Sequence, residues 1–271
     1  MILKDESCMM CGAWEWKIVH FYHDKPFGET DFHLVEEEYY RALWQCQICK
    51  LVVNVHSYDL SRLYEGGYGK ATYGDMEGVR KAYDRVMSLG QWASDNLQRC
   101  EFLRWKMSQF VGLPNVLDVG SGLGVFPSVM KNGGNSVTAV ESDPLFVEHL
   151  RGLGLTAVDK PWMEVNTTLL PETYNLITFN KVLEHVQDPV LFLNRAVDFC
   201  DKDSLLYVEV PSVAAAKEGY ENREEFYIEH CTVWSPVSVC LLVESAGLRV
   251  KELYDLIEPS GKYTLRVLAS L

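Results

Sequence analysis

The segment from Val116 to Gly124, VLDVGSGLG, constrains this chain more than any other stretch. Two β-formers and an acidic residue run into glycines at alternate positions, Gly120, Gly122 and Gly124, with Ser121 between the first two. The apolar stretch VFPSVM then follows at helical spacing. That order is a strand, a tight glycine turn and a helix start, by which α/β proteins bring backbone close to a nucleotide-like ligand. The spacing is G-x-G-x-G rather than G-x-G-x-x-G, and Asp118 precedes the first glycine by two residues. A carboxylate so placed repels a pyrophosphate on the helix N-terminus and suits a cationic or zwitterionic adenosyl ligand instead.

Signals downstream alternate between strand and helix. VLDVG, SVTAVE, GLTAV, YNLITFN and SLLYVEVP read as strands. DPLFVEHLRGLG, DPVLFLNRAVDFC and SPVSVCLLVESAG read as helices, and LRVKELYDL and YTLRVLAS close the chain as two further strands. Strands separated by helices of this length give an α/β fold with a mainly parallel sheet covered on both faces. The boundaries expected are a module over 1–75, a helical connector over 76–112 and the α/β domain over 113–271. In the connector, Val79, Ala82, Tyr83, Val86 and Leu89 form one apolar stripe, and Leu97, Phe102, Leu103 and Phe110 a second.

Cys8 and Cys11 form C-x-x-C, and Cys46 and Cys49 form another. Two such pairs suit tetrahedral zinc, each biting one edge of the tetrahedron from a tight turn. With four protein ligands the site is structural. The remaining cysteines lack this spacing and read as ordinary core residues. The net charge of −13, with acidic residues in excess on both sides of residue 75, disfavours a nucleic-acid partner. No apolar run is long enough to span a bilayer, and MILKDESCMMCG lacks a signal-peptide core. A reducing cytoplasmic location is the expectation, with free rather than disulfide-bonded cysteines.

Glu141 ends the strand SVTAVE and is placed to accept ribose hydroxyls, with Ser142 beside it. Asp159 and Asn180 follow the next two strands, on the rim where ligands of open sheets collect. Two constellations could act on an acceptor: Glu184-His185, and Tyr227, Glu229 and His230 in REEFYIEHCTVWSP. A histidine near neutral pKa beside a carboxylate can serve as a general base.

VLDVGSGLG, then VTAVESDP, then LITFNKVLEHVQDP resembles class I S-adenosylmethionine-dependent methyltransferases over residues 113–271. The resemblance implies a Rossmann-like seven-stranded sheet with its last strand antiparallel. It also implies that the glycine loop packs on the methionine part of the cofactor, near Asp118, and that Glu141 holds the ribose.

The whole layout further resembles methyltransferases of sugar nucleotides, polysaccharides and natural products. These carry an N-terminal double C-x-x-C zinc module and then a tyrosine-rich stretch, here LYEGGYGKATYGD, which puts Tyr68 and Tyr73 near the cofactor. In their sugar C-methyltransferases a Y-x-E-H motif supplies a histidine base. Tyr227, Glu229 and His230 match it, and His185 matches the histidine after the fourth strand. Those enzymes often continue into a further domain, whereas this sequence ends at EPSGKYTLRVLASL, so O- or N-methylation stays open beside C-methylation. The expectation is methyl transfer to a small, sugar-like acceptor. The alternatives are an RNA or protein methyltransferase using the zinc module as reader, and a non-catalytic cofactor-binding scaffold. The oligomeric state is left open.

Overall fold

The structure, a computed structural model, describes residues 6–30, 39–58, 67–108, 110 and 112–271. Its first three strands, β1 (Trp16–Tyr22), β2 (Arg41–Cys46) and β3 (Val52–Val55), form an antiparallel sheet. Three helices follow: α1 (Tyr68–Tyr73), α2 (Met76–Met87) and α3 (Asp95–Met107). The expected continuous connector helix is broken between α2 and α3. The Ser94 hydroxyl accepts the Leu97 amide and starts a new helix, as Asp75 starts α2 by accepting the Gly78 amide. Leu89, expected on the first stripe, falls in the break and is exposed.

From Asn115 the chain alternates as its pattern predicts. In order come β4 (Asn115–Val119), α4 (Val125–Asn132), β5 (Ser136–Glu141), α5 (Pro144–Gly152), β6 (Thr156–Asp159), β7 (Leu176–Asn180) and α6 (Pro189–Asn194). Then follow β8 (Leu205–Pro211), β9 (Thr232–Val233), α7 (Pro236–Ser245), β10 (Arg249–Ile257) and β11 (Tyr263–Ser270). Seven strands make one sheet in the order β10-β11-β8-β7-β4-β5-β6, and β11 alone runs against its neighbours. β9 pairs instead with β3, so residues 232–233 supply the fourth strand of the N-terminal sheet. Among the described residues no helix is long and apolar enough to cross a membrane.

Period-two alternation sorts the central strands onto two helical layers. Leu117, Val119, Ile177, Phe179, Leu206 and Val208 pack with Leu193 of α6 and with Val239, Leu242 and Val243 of α7. Val116, Leu176 and Tyr207 face the other way, onto α3 and α4. Two residues further along each of these strands, that second face turns polar: Asp118, Thr178 and Glu209 are all buried there. The polar end of this face underlies the carboxyl ends of the strands, where open α/β sheets bind ligands.

Glu209 anchors a largely buried ionic cluster. Its carboxylate accepts from Arg99 through two nitrogens, from Arg266 Nε at 3.1 Å, and from the Tyr207 hydroxyl. Glu258 joins it, receiving Arg266 Nη2 at 3.2 Å and Lys181 Nζ at 2.7 Å. Burial alone would raise the Glu209 pKa, but the two arginines and Lys181 hold it below the ordinary carboxylate range. Removing one partner of such a cluster strands buried charge. Glu209→Ala is therefore expected to lower the unfolding free energy by about 3–5 kcal/mol in urea titrations. A loss below about 1 kcal/mol would mean that Arg99 and Arg266 find other partners.

Candidate cofactor cleft and its histidine wall

A cleft of about 540 Å³ opens at the carboxyl ends of β4, β5 and β7, a size suited to a nucleoside-like ligand. Its walls include Val119, Gly120 and Gly122 from the glycine loop, and Glu141, Ser142 and Asp143 after β5. Lys160, Pro161 and Trp162 line it beyond β6, and Lys181, Val182 and His185 beyond β7. Tyr68, Phe146, Phe192 and Glu229 complete the apolar and polar surround.

Gly120 leaves β4 at φ 73° with its amide on the Val140 carbonyl, 2.9 Å away. A Cβ there would come 2.6 Å from the Val182 side chain, so only glycine fits both the turn and the close approach. Gly122 also has a left-handed backbone and lines the cleft. Gly124 does neither job of ligand contact: a Cβ on it would strike Leu150 at 2.5 Å, so it serves helix packing and lies off the cleft surface.

Glu141 braces the loop. Its Oε2 accepts the Gly122 amide at 2.8 Å, and its Oε1 accepts the amides of Ser142 at 2.7 Å and Asp143 at 2.9 Å. Burial raises its pKa, while those three amides oppose the shift. Asp118 sits one layer below the cleft surface. Its oxygens accept from Thr178 at 2.6 Å, Asn180 at 2.8 Å and Ser121 at 2.8 Å. Burial pushes its carboxyl up to about 6 against these donors. Asp118, Ser121 and Asn180 thus form a hydrogen-bonded floor rather than a lining.

Three other residues singled out in the sequence also lie off the lining. Asp159 is half exposed and meets Arg151 at 3.9 Å. Tyr73 lies edge-on against Phe146, a lining residue, at 5.9 Å. Tyr227 turns to the N-terminal module, donating its hydroxyl to the Phe27 carbonyl at 2.9 Å. Tyr68 lines the cleft, while the first residues of the tyrosine-rich stretch, 63–66, lie outside the described residues. Sequence reasoning missed Asp143, Lys160, Trp162 and Lys181. Asp143 caps α5 by accepting the Leu145 amide, and its carboxylate also takes the Gly69 amide at 2.8 Å and holds α1 over the cleft. Reading one residue past each strand end would have found Lys160 and Lys181.

Two histidines close one side. His185 lines the cleft, and the His230 ring lies behind it with centroids 4.9 Å apart. His185 Nδ1 is 2.9 Å from the Glu229 carbonyl, and His230 Nδ1 is 2.9 Å from the Glu225 carbonyl. A carbonyl only accepts, so each Nδ1 carries the hydrogen and each Nε2 the lone pair. Burial lowers both pKa values, and His185 lowers that of His230 further, so both rings are neutral near pH 7. Beneath them, Glu184 is wholly buried, and neither carboxyl oxygen meets a hydrogen-bond partner among the described residues. Burial raises it to about 8 and raises Glu229 to about 7. Ligand atoms of Glu184, His185 and His230 lie within 4.8 Å of one another, with Glu184 in its protonated form. The wall therefore offers two bases and two weak acids.

At the other end of the module, the sulfurs of Cys8 and Cys49, and of Cys11 and Cys46, are 3.5 Å apart, and all four lie within 4.8 Å of one another. A tetrahedral zinc with bonds of about 2.3 Å separates its sulfurs by roughly 3.8 Å. The two turns match: Gly12 and Lys50 each follow a cysteine pair with φ 70° and 62°, and each donates its amide to the first cysteine carbonyl. The donor set and geometry fit the metal.

A family model described as a methyltransferase domain matches residues 82–253. The chain belongs to that family. It is a class I S-adenosylmethionine-dependent methyltransferase by family and by sheet order. Ubiquinone biosynthesis O-methyltransferase of Actinobacillus pleuropneumoniae is 28% identical over 41% of this chain and 51% of its own. The mitochondrial enzyme of that name from Schizosaccharomyces pombe is 36% identical over 29% of this chain and 31% of its own. The chain thus spans about half of the length of the first of these curated relatives and about a third of the second. Among solved structures, Burkholderia thailandensis 1,6-didemethyltoxoflavin-N1-methyltransferase, bound to 1,6-didemethyltoxoflavin and S-adenosylhomocysteine, superposes with a TM-score of 0.53 at 15% identity. That match covers 91% of this chain and 99% of the other. The magnesium protoporphyrin IX methyltransferase of Synechocystis PCC 6803, bound to S-adenosylhomocysteine, gives 0.56 at 11% identity over 78% and 99%. At such identities the likeness concerns the fold alone.

Glu184 makes this methyltransferase's stability pH-dependent with a definite sign. Its folded pKa of about 8 exceeds the ordinary 4.5, so the folded chain keeps a proton that the unfolded chain releases between those values. Stability therefore falls as pH rises through that window, by up to about 1.4 kcal/mol per pH unit from this group. Glu184→Gln is expected to remove that part of the slope in urea titrations from pH 5 to 8. Identical slopes in the two proteins would refute the assignment.

Proposed function

We propose that this enzyme moves the methyl group of S-adenosylmethionine to a hydroxyl or carbon acid of a small polar acceptor, a sugar or sugar nucleotide. The observation that carries the reading is the pair of neutral imidazoles, His185 on the cleft wall and His230 behind it, each with its hydrogen at Nδ1. The cofactor supplies an electrophilic methyl group, and a nucleophile that is already strong needs only alignment. A hydroxyl or carbon acid must also lose a proton, which gives the histidine pair a task. The relatives named for O-methylation favour the hydroxyl. The sugar-like character rests on the resemblance of the whole layout.

In this reading Gly120 and Gly122 pass close to the methionine part, over a floor built on Asp118. Glu141 has lone-pair capacity beyond its three amides for the ribose. Phe146 and Trp162 offer flat apolar walls for the base. His230, relayed through or acting beside His185, takes the acceptor proton, and Glu229 at about 7 can pass it on. Cys8, Cys11, Cys46 and Cys49 hold a structural zinc, and a reducing cytoplasmic compartment suits cysteines that form no disulfide among the described residues.

A thermal-shift panel of nucleotide sugars with S-adenosylhomocysteine present identifies acceptors, because a ligand of the native state raises the melting temperature. With such an acceptor, His230→Ala should keep S-adenosylhomocysteine affinity within about threefold and lower turnover by about 10²–10⁴-fold. Turnover equal to the wild type removes His230 from the reaction. Elemental analysis should find about one zinc per chain, and chelation should lower the melting temperature. A metal-free chain of unchanged stability would contradict the zinc assignment.

A further inference from the structure

The backbone on either side of Glu229 and His230 is hydrogen-bonded to the N-terminal module. Arg41, wholly buried on β2, donates from Nη1 to the Phe226 carbonyl at 2.7 Å. Glu29, paired with Arg41 at 2.9 Å, accepts the Ile228 amide at 2.7 Å. Asn54 of β3 donates its side-chain amide to the Tyr227 carbonyl at 3.1 Å and its backbone amide to the Cys231 carbonyl at 3.0 Å. Phe226, Tyr227, Ile228 and Cys231 are thus each tied to the N-terminal module, and Glu229 and His230 lie between the ties.

The three side chains also fix one another. Arg41 Nη1 reaches Asn54 Oδ1 at 3.2 Å, and Arg41 Nε reaches the Tyr39 hydroxyl at 2.6 Å, which donates to Glu29 Oε1 at 2.5 Å. The guanidinium lies 3.6 Å from the Tyr22 ring centroid, a cation–π contact that sets its plane. A buried ion pair is a weak device for stability alone, since apolar packing of the same volume serves as well or better. It is a strong device for direction, because a planar fork donates along fixed lines.

We propose that Arg41, Glu29 and Asn54 are positioning residues of the methyl-transfer reaction, acting through the backbone at 226–231 to set where Glu229 lines the cleft and where His230 stands behind His185. This rests on the functional reading above, and the N-terminal module is then a working part of the acceptor site.

The test uses the whole 271-residue chain loaded with S-adenosylhomocysteine. Arg41→Met, Arg41→Lys and Glu29→Gln are compared with Val55→Ala, which trims the opposite face of the same sheet, where Val55 packs with Ala42 and Trp44. Amide exchange at Ile228 and the ring resonance of His230, assigned by its loss in His230→Ala, are the readouts. In Arg41→Met, Ile228 exchange should quicken at least about tenfold and the His230 resonance should move toward that of exposed His23. S-adenosylhomocysteine affinity should stay within about threefold. Arg41→Lys, which keeps the charge and loses the fork, should fall between. Glu29→Gln carries the same expectation if Arg41→Met does not fold. Unchanged Ile228 exchange and an unmoved His230 resonance overturn the proposal, and so do equal changes in Val55→Ala. Failure of the wild type to bind S-adenosylhomocysteine overturns the functional reading instead, and is read separately.

Discussion

The Glu141 carboxylate is the point from which the cleft is built. It gathers the amides of Gly122, Ser142 and Asp143 and so joins the loop after β4 to the turn after β5. Asp143 then caps α5 and receives the Gly69 amide, which carries α1 across the opening. Glu141 thereby ties the loop after β4 to the turn after β5, and Asp143 ties that turn to α1. Charge-assisted hydrogen bonds to backbone are strong and directional, so the loop is set before a ligand arrives.

Beneath and beside this rim the chain buries titratable groups in two contrasting ways. Glu209 is surrounded by arginines and stays ionised, which ties α3, β8 and β11 together. Glu184 and Glu229 are instead pushed up to about 8 and 7 by burial. Neighbouring acids held in opposite states mark a division of labour, with fixed charge for scaffolding and movable protons for chemistry. The histidine pair lies on the movable side.

The N-terminal sheet is not an appendage. β9 leaves the methyltransferase sequence to pair with β3, and the Ser235 hydroxyl, which opens α7, also donates to the Cys49 carbonyl. The cysteine module and residues 226–235 are therefore joined by strand pairing and by side-chain hydrogen bonds to backbone.

Local pattern made much of this legible. The alternation of strands and helices, the left-handed glycine turn, the acid ending β5 and the two cysteine pairs each depend on residues close in sequence. Steric and periodic rules act at that range. The long-range assignments were less legible. Asp118 lies within β4, while Asn180 and Asp159 end β7 and β6; the first two became floor and the third faces Arg151, because register and side-chain direction decide which oxygens reach the cleft. The break between α2 and α3 turned on one serine cap. Arg41, Glu29 and Asn54 carried no motif, since their partners lie about 170 to 200 residues away. The sequence by itself determined the fold class and the cofactor loop through local geometry. Only the tertiary structure decided which strand ends form the site and which module holds its histidines, because burial and distant hydrogen bonds exist only once the chain has closed.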